Sequence, residues 1–220
     1  MALLISSELY SGSLLLQSRV RGMYNAAEGL TRTSAITPSD TENASGGVLQ
    51  NTPNPEDLFD LMEKWDGPYA SAVGLRSQLE KWRQTGAAGA DWLIARTAEE
   101  TEIEILTRAA MVLGEIGEPA IPAILKWIQC NASEEHQCAL LQALAWIDKV
   151  ETSGFAEAVE NAIRMGLNSA STEVREKAIA AVGSLPTIIA TTLLRDHIAR
   201  EDDATLRTLA TEMAADLGGE

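Results

Sequence analysis

Residues 104–129, EILTRAAMVLGEIGEPAIPAILKWIQ, decide the fold of this chain. The first half places apolar side chains at the spacing of one helix face, and the second half repeats that pattern. Between the halves, Gly117 suits a helix stop with positive φ, and Pro119 suits the first turn of a new helix. Neither helix is long enough to be stable alone, so we expect two antiparallel helices that pack on each other and on neighbours.

The composition of the 220 residues favours tightly packed helices. Aromatic residues make up only 5% of the chain, whereas a β-sandwich requires many aromatic and β-branched side chains. No apolar run approaches the ~20 residues that span a bilayer, and the first residues lack the basic start and the cleavage site of a signal peptide. Two cysteines are too few for a disulfide framework, so we expect a cytoplasmic protein without a membrane partner.

The net charge of −15 is unevenly distributed. Residues 1–53 hold 3 basic and 4 acidic side chains, which leaves 14 basic and 28 acidic ones, a net charge of −14, for residues 54–220. Such a surface repels phosphate backbones, and the basic residues are scattered singly along the sequence. We therefore expect no nucleic-acid partner, and solubility is the simplest role of the charge.

Three segments can be distinguished in the sequence. Residues 1–30 form an apolar N-terminal arm, whose helical stripe would include Leu9 and Leu16, although its Ser and Gly residues suit a hairpin equally well. Residues 31–55 are dense in Thr, Ser, Asn, Gly and Pro and predict a flexible linker. Residues 56–220 form the predicted helical repeat domain.

Polar residues and prolines mark the predicted helix starts. We expect N-caps at Asn54, Thr101, Ser133 and Thr172. The predicted helices cover 55–65, 68–86, 88–98, 104–116, 119–129, 134–147, 155–167, 174–185, 186–198 and 206–217.

Self-comparison reveals an internal repeat. The sequence pattern of the first helix in the quoted run appears again 31 and 69 residues later. A fourth copy lies 32 residues after the copy at 69. Periods in the thirties with two helices per unit predict an α-solenoid, in which each unit contacts mainly its neighbours.

The repeat resembles a known family. The matching residues of the quoted run are Arg108, Ala109, Ala110, Leu113, Gly114, Ile116, Gly117, Pro119, Ile121, Pro122 and Ala123. They resemble the short HEAT-like repeat named after phycobilisome lyases, and residues 172–183 provide a second good match. The copy that begins at Ser133 departs from the pattern, because Ala139 and Ala145 replace the expected Arg and Gly. The resemblance covers roughly residues 68–217 and implies an all-α, α-α superhelix.

Small residues at repeated positions predict close helix contacts. We expect Gly114 and Gly183 to let neighbouring helices approach near each corner. On this reasoning, Gly183→Leu would unfold the last repeats.

The chemically reactive side chains favour structural roles. Cys130, His136 and Cys138 offer three soft ligands without a fourth and without Cys-x-x-Cys spacing, which makes a poor zinc site. We expect His197 to be a solvated histidine near a helix end. The acidic turns at residues 99–104 and 201–203 lie where helices begin. We therefore predict no catalytic, cofactor-binding or metal-binding residues.

The function predicted from the sequence is non-catalytic protein binding, as an adaptor or a regulatory subunit. Trp127 lies out of phase with the apolar stripe of its helix and shares a face with Ala123, which makes it a candidate anchor for a partner protein. The other tentative contacts are Lys126, Trp146, Leu9 and Leu16. Two alternatives remain open: a lyase-type factor that attaches or removes a tetrapyrrole, which the resemblance implies, and a protease-cleaved or regulatory subunit of a bacterial multi-protein system.

Overall fold

The computed structural model describes residues 52–64, 72–130, 132–147, 150 and 154–218. Within these ranges every regular element is helical, and all of them belong to one compact unit, residues 51–220. The helices are α1 (Pro55–Glu63), α2 (Ala72–Arg96), α3 (Ile103–Ile116), α4 (Ile121–Gln129), α5 (Glu134–Trp146), α6 (Ala156–Leu167), α7 (Thr172–Val182), α8 (Thr187–Ile198) and α9 (Ala204–Gly218). A short 3-10 turn, Glu118–Ala120, precedes α4. In this part of the chain, none of the helices is sufficiently long and apolar to cross a membrane.

Side-chain caps set the helix starts, with two corrections to the sequence prediction. Asn54 and Ser133 cap α1 and α5 as predicted, because each side chain accepts a hydrogen bond from a backbone N–H of the first turn. The predicted caps at Thr101 and Thr172 are wrong, and the N-caps of α3 and α7 are Glu102 and Ser171. The stop at Gly117 is confirmed, with φ 78°.

The predicted break between two helices at Gly86 is confirmed, since the range Ala72–Arg96 of α2 consists of two helical halves that meet at a kink there. Gly86 has φ 57° and ψ −145°, a conformation that only glycine adopts readily. Trp82 on one side of the kink and Leu93 on the other are both fully buried. The kink therefore lets both halves of α2 turn apolar side chains into the core.

The first helices of successive repeats lie side by side and point the same way. At their C-terminal ends, α3 and α5 touch so closely that a Cβ placed on Gly114 would lie 2.4 Å from the Cβ of Trp146. At their N-terminal ends, α5 and α7 are joined by Ser171 Oγ, which donates to Glu134 Oε1 over 2.5 Å. Since α3 also packs along α5, and α5 along α7, the three helices are parallel.

Helix α9 continues this arrangement. Arg175, in the first turn of α7, forms an ion pair with Glu201, which lies just before α9. Asp203 Oδ1 accepts the backbone N–H groups of Thr205 and Leu206 and caps α9. The N-terminal ends of α3, α5, α7 and α9 therefore share one edge. They begin after residues 102, 133, 171 and 203, which are separated by the offsets found in the self-comparison.

Only one of the two predicted close approaches of glycine is present. Gly114 is buried against α5, as expected. Gly183 is exposed, and a Cβ there would meet nothing nearer than Ala180 O at 3.6 Å. The expectation that Gly183→Leu unfolds the last repeats therefore loses its basis, because no helix approaches Gly183 closely. The tight glycine in this region is Gly166, where a Cβ would lie 2.8 Å from the Cβ of Ala178.

Candidate partner-binding surface

The second helices of the repeats, α4, α6 and α8, are built on one register. A buried apolar pair lies at the same place in each of them: 124–125, 162–163 and 193–194. The residue that follows each pair is basic and exposed, namely Lys126, Arg164 and Arg195. We call these three residues the basic row. Its members stand 38 and 31 residues apart in the sequence, and the shared register puts each on the outer side of its helix.

Large apolar side chains stand beside the basic row. Met165, the neighbour of Arg164, is 59% exposed. Ile188 lies two turns before Arg195 on the same face of α8 and is 81% exposed. The same helices also carry Glu157, Glu160 and Asp196, so the exposed apolar side chains stand among charges of both signs.

The charge of the second helices differs from that of the first helices. Helices α4, α6 and α8 carry three basic and three acidic side chains, so they are neutral. Helices α3, α5, α7 and α9 carry four basic and eight acidic ones, a net charge of −4. Much of the negative charge therefore lies on the other layer and on the turns that lead into it.

Two members of the basic row are available for a new ion pair. Arg164 Nη2 contacts Glu160 Oε1 at 2.7 Å, one turn earlier on α6. The ion pairs among the described residues include neither Lys126 nor Arg195. An acidic group that approached this face would meet these two cations first.

The structure separates the residues that the sequence grouped as partner contacts. Lys126 is exposed on α4, whereas Ala123 is 7% exposed and faces the core. Trp146 is half-buried, with its Cβ against Gly114 of α3. Leu9 and Leu16 lie outside the described residues.

Trp127 packs mainly against the next repeat. It is half-buried, and its ring centroid lies 6.4 Å from that of His136 on α5. The two rings border a cavity of about 20 Å³, too small for a ligand, whose other walls include Leu106 and Leu113. Trp127 is therefore only partly open to solvent.

His136 belongs to a capping cluster at the start of α5. Its Nε2 lies 2.7 Å from Thr97 O, and because a carbonyl only accepts, Nε2 carries the proton. Its Nδ1 lies 2.8 Å from Ser133 Oγ, the hydroxyl that also accepts from the backbone N–H of His136 and donates to Glu135 Oε2. The cluster ties α5 to the end of α2, so His136 has a structural role.

The cysteines near His136 do not join it in a metal site. Cys130 is exposed beyond the end of α4, and burial raises the pKa of the Cys138 thiol to about 11. The described residues contain no group of three potential ligands close enough to hold a metal ion.

The prediction that His197 is solvated is wrong. His197 is 3% exposed and occupies the register position that Ile128 fills in α4 and Gly166 fills in α6. Its Nε2 lies 3.1 Å from Oε2 of Glu201, without the alignment of a hydrogen bond. The sequence contains the signal that could have revealed this burial, since His197 lies four residues after Leu193 on the apolar stripe of α8.

Glu201 is the centre of a buried ionic cluster at the junction of α7, α8 and α9. Glu201 is 6% exposed. The Arg175 guanidinium donates two hydrogen bonds to its carboxylate, with an Nε–Oε2 distance of 2.9 Å and an Nη2–Oε1 distance of 3.2 Å. Burial acts to raise the pKa of Glu201, but the hydrogen bonds from Arg175 and from the backbone of Asp203 outweigh it and hold the pKa below its usual range. Burial also lowers the pKa of His197, although Glu201 opposes this.

Acidification should therefore destabilise the last repeat in two stages. The folded state disfavours protonated His197, so the unfolded chain binds more protons and stability falls as the pH drops below about 6.5, the usual pKa of histidine. Glu201 adds to the loss at lower pH, because its folded pKa is also depressed. We expect thermal melts between pH 5.5 and 7.5 to show this first stage as a fall in the melting temperature of the native chain as the pH is lowered. The melting temperature of His197→Ile should depend less on pH over the same range. An equal pH dependence of the two proteins would contradict this.

Comparison of the chain with family models, curated proteins and solved structures gives no significant match. The function must therefore be argued from the surface of the helices.

Proposed function

We propose that this protein is a non-catalytic interaction module of the cytoplasm, an adaptor or regulatory subunit whose helices form a HEAT-like solenoid. The parallel packing of α3 on α5 and of α5 on α7 supports the solenoid, because these are the two most extensive contacts between helices in the described part of the chain. In a solenoid of this kind the second helices would lie on one face, which suits the binding of another protein.

The observation that carries the proposal is the surface composed of the basic row, Met165 and Ile188. Met165 and Ile188 are large apolar side chains exposed to solvent, and a partner protein that covered them would remove their apolar surface from water. Both histidines have structural contacts: His136 joins Ser133 at the start of α5 to Thr97 O, and His197 lies in the buried ionic cluster.

Site-specific photo-crosslinking would test the proposal. A photoreactive amino acid is placed at Asn161 of α6 or at Thr192 of α8, two exposed positions in the same register on the second helices. We expect both variants, expressed in cells that naturally make the protein, to crosslink the same polypeptide.

The matched control carries the photoreactive residue at Glu212, which is exposed on the first-helix layer in α9. We expect this variant to give little or none of the same product. Equal labelling from all three positions, or no polypeptide product from Asn161 and Thr192, would contradict the proposal.

A further inference from the structure

We infer that α9 is a releasable helix, which detaches from α7 and α8 when His197 takes up a proton while the earlier helices stay folded. This inference does not depend on the proposed function, since it concerns how the last helix is held. It follows from the few buried side chains of α9, from the ionic contacts at its start and from the charge balance around His197.

Helix α9 is held by fewer buried side chains than the other first helices. Two of its 15 residues, Leu206 and Ala210, are buried, whereas α3 buries seven of 14, α5 five of 13 and α7 five of 11. The rest of its apolar stripe is only half-buried, namely Leu209, Met213, Ala214 and Leu217. Hydrophobic stabilisation is roughly proportional to the apolar area removed from water, so α9 is the first-layer helix that we expect to open most easily.

The start of α9 is tied to its neighbours by one residue, Glu201. Its carboxylate accepts the two hydrogen bonds from Arg175 of α7, and its Oε1 also accepts the backbone N–H of Asp203 over 2.9 Å. Its backbone carbonyl accepts from Nη1 of Arg207 in the first turn of α9, and its own N–H donates to the carbonyl of His197. Glu201 therefore joins α7, α8 and α9, and loss of its contacts would free the start of α9.

The charges in this buried cluster balance only while His197 is neutral. The carboxylate of Glu201 already has a cationic partner in Arg175, and Nε2 of His197, 3.1 Å from that carboxylate, has no hydrogen-bond partner among the described residues. The other charged groups around the cluster are Asp196 on α8, Arg200 and Asp203 in the turn, and Arg207 on α9. The pKa of His197 is lowered chiefly by burial, and Arg175 and Arg200 act in the same direction. A proton on His197 would add an unbalanced charge to a site that excludes water, and opening of α9 would hydrate that charge.

Hydrogen–deuterium exchange with mass spectrometry would test this inference on the full-length protein. Protection factors, corrected for the pH dependence of the intrinsic exchange rate, are compared at pH 7.5 and 5.5. We expect residues 208–217 to lose protection about tenfold at the lower pH, because an open state that binds a proton at the usual histidine pKa of about 6.5 gains that factor. Residues 107–116 of α3 should remain at least about tenfold better protected than α9 at both pH values, since α9 opens without them.

Two variants that cannot be protonated at this position are the controls. His197→Gln keeps a neutral polar side chain, and His197→Ile supplies the apolar residue that Ile128 provides at the same register position of α4. We expect the protection of α9 in each variant to change by less than about threefold between the two pH values. Thermal melts at pH 7.5 show that a variant is folded, and either folded variant completes the comparison.

Three results would overturn the inference. Equal protection of α9 and α3 would show that the chain opens only as a whole. Protection of α9 that does not fall between pH 7.5 and 5.5 would show that opening is not linked to a proton. The same fall in the two variants as in the native protein would show that the proton binds at a residue other than His197.

Discussion

Replacing Arg175 by Met is expected to lower the free energy of unfolding by about 3–5 kcal/mol, the usual cost of leaving a buried charge without its partner. Arg175 contributes two of the hydrogen bonds to the Glu201 carboxylate, and its Nη1 also donates to the carbonyls of Ser169 and Ala170 before α7. Glu201 is 6% exposed, so water cannot replace the guanidinium. Urea denaturation measures the loss.

A double variant separates the ion pair from general packing. Adding Glu201→Gln to Arg175→Met removes the uncompensated charge, and we expect it to recover part of the lost stability. The exposed pair of Arg83 with Glu115 is the control: Arg83→Met should cost less than about 1 kcal/mol, because water screens that pair. A loss at Arg175 no larger than that at Arg83 would contradict the burial of the cluster.

The second large effect is expected from Gly114→Ala. The new methyl group would lie 2.4 Å from the Cβ of Trp146, and both atoms are fixed to the backbone, so no side-chain rotation relieves the contact. Helices α3 and α5 must move apart, at a cost of about 1–3 kcal/mol or more. The higher helix propensity of alanine offsets less than about 1 kcal/mol of this.

Gly183→Ala is the matched control, because Gly183 also lies at the end of a first helix. Its φ of −62° is ordinary for alanine, and the nearest atom to a new Cβ is 3.6 Å away. We expect its free energy of unfolding to be unchanged or slightly higher. Chemical denaturation of both variants provides the comparison, and equal destabilisation would exclude the tight contact between α3 and α5.

The local signals in the sequence predict the helices well, because caps and apolar periodicity act within a few residues. Asn54, Ser133 and Gly117 act at their helix ends as expected. Thr101 and Thr172 each have a competing polar neighbour, and the structure selects Glu102 and Ser171. Ser171 and Thr172 differ little in capping preference, and Glu102 occupies the N-cap position of α3 without a side-chain cap hydrogen bond, so no capping side chain marks the start of that helix.

Features that depend on the opposing helix could not be predicted. Gly114 and Gly183 occupy the same position in the repeat, but Trp146 faces the first while nothing comparable approaches the second.

The basic row could have been identified from the sequence alone. Lys126, Arg164 and Arg195 look scattered because 38 and 31 residues separate them. Alignment of the second helices by their buried pairs, in the way that the first helices were aligned, brings the three cations into register.

The parallel order of α3, α5, α7 and α9 also has an electrostatic consequence. Each α-helix has a dipole whose positive end is its N-terminus, and parallel neighbours place like ends together, which is unfavourable. Glu102, Glu134, Glu173 and Asp203 lie at those ends, where their negative charges compensate the aligned dipoles. Part of the excess acidity is thus the counter-charge that parallel stacking requires, and the edge that carries it is closed to an acidic ligand.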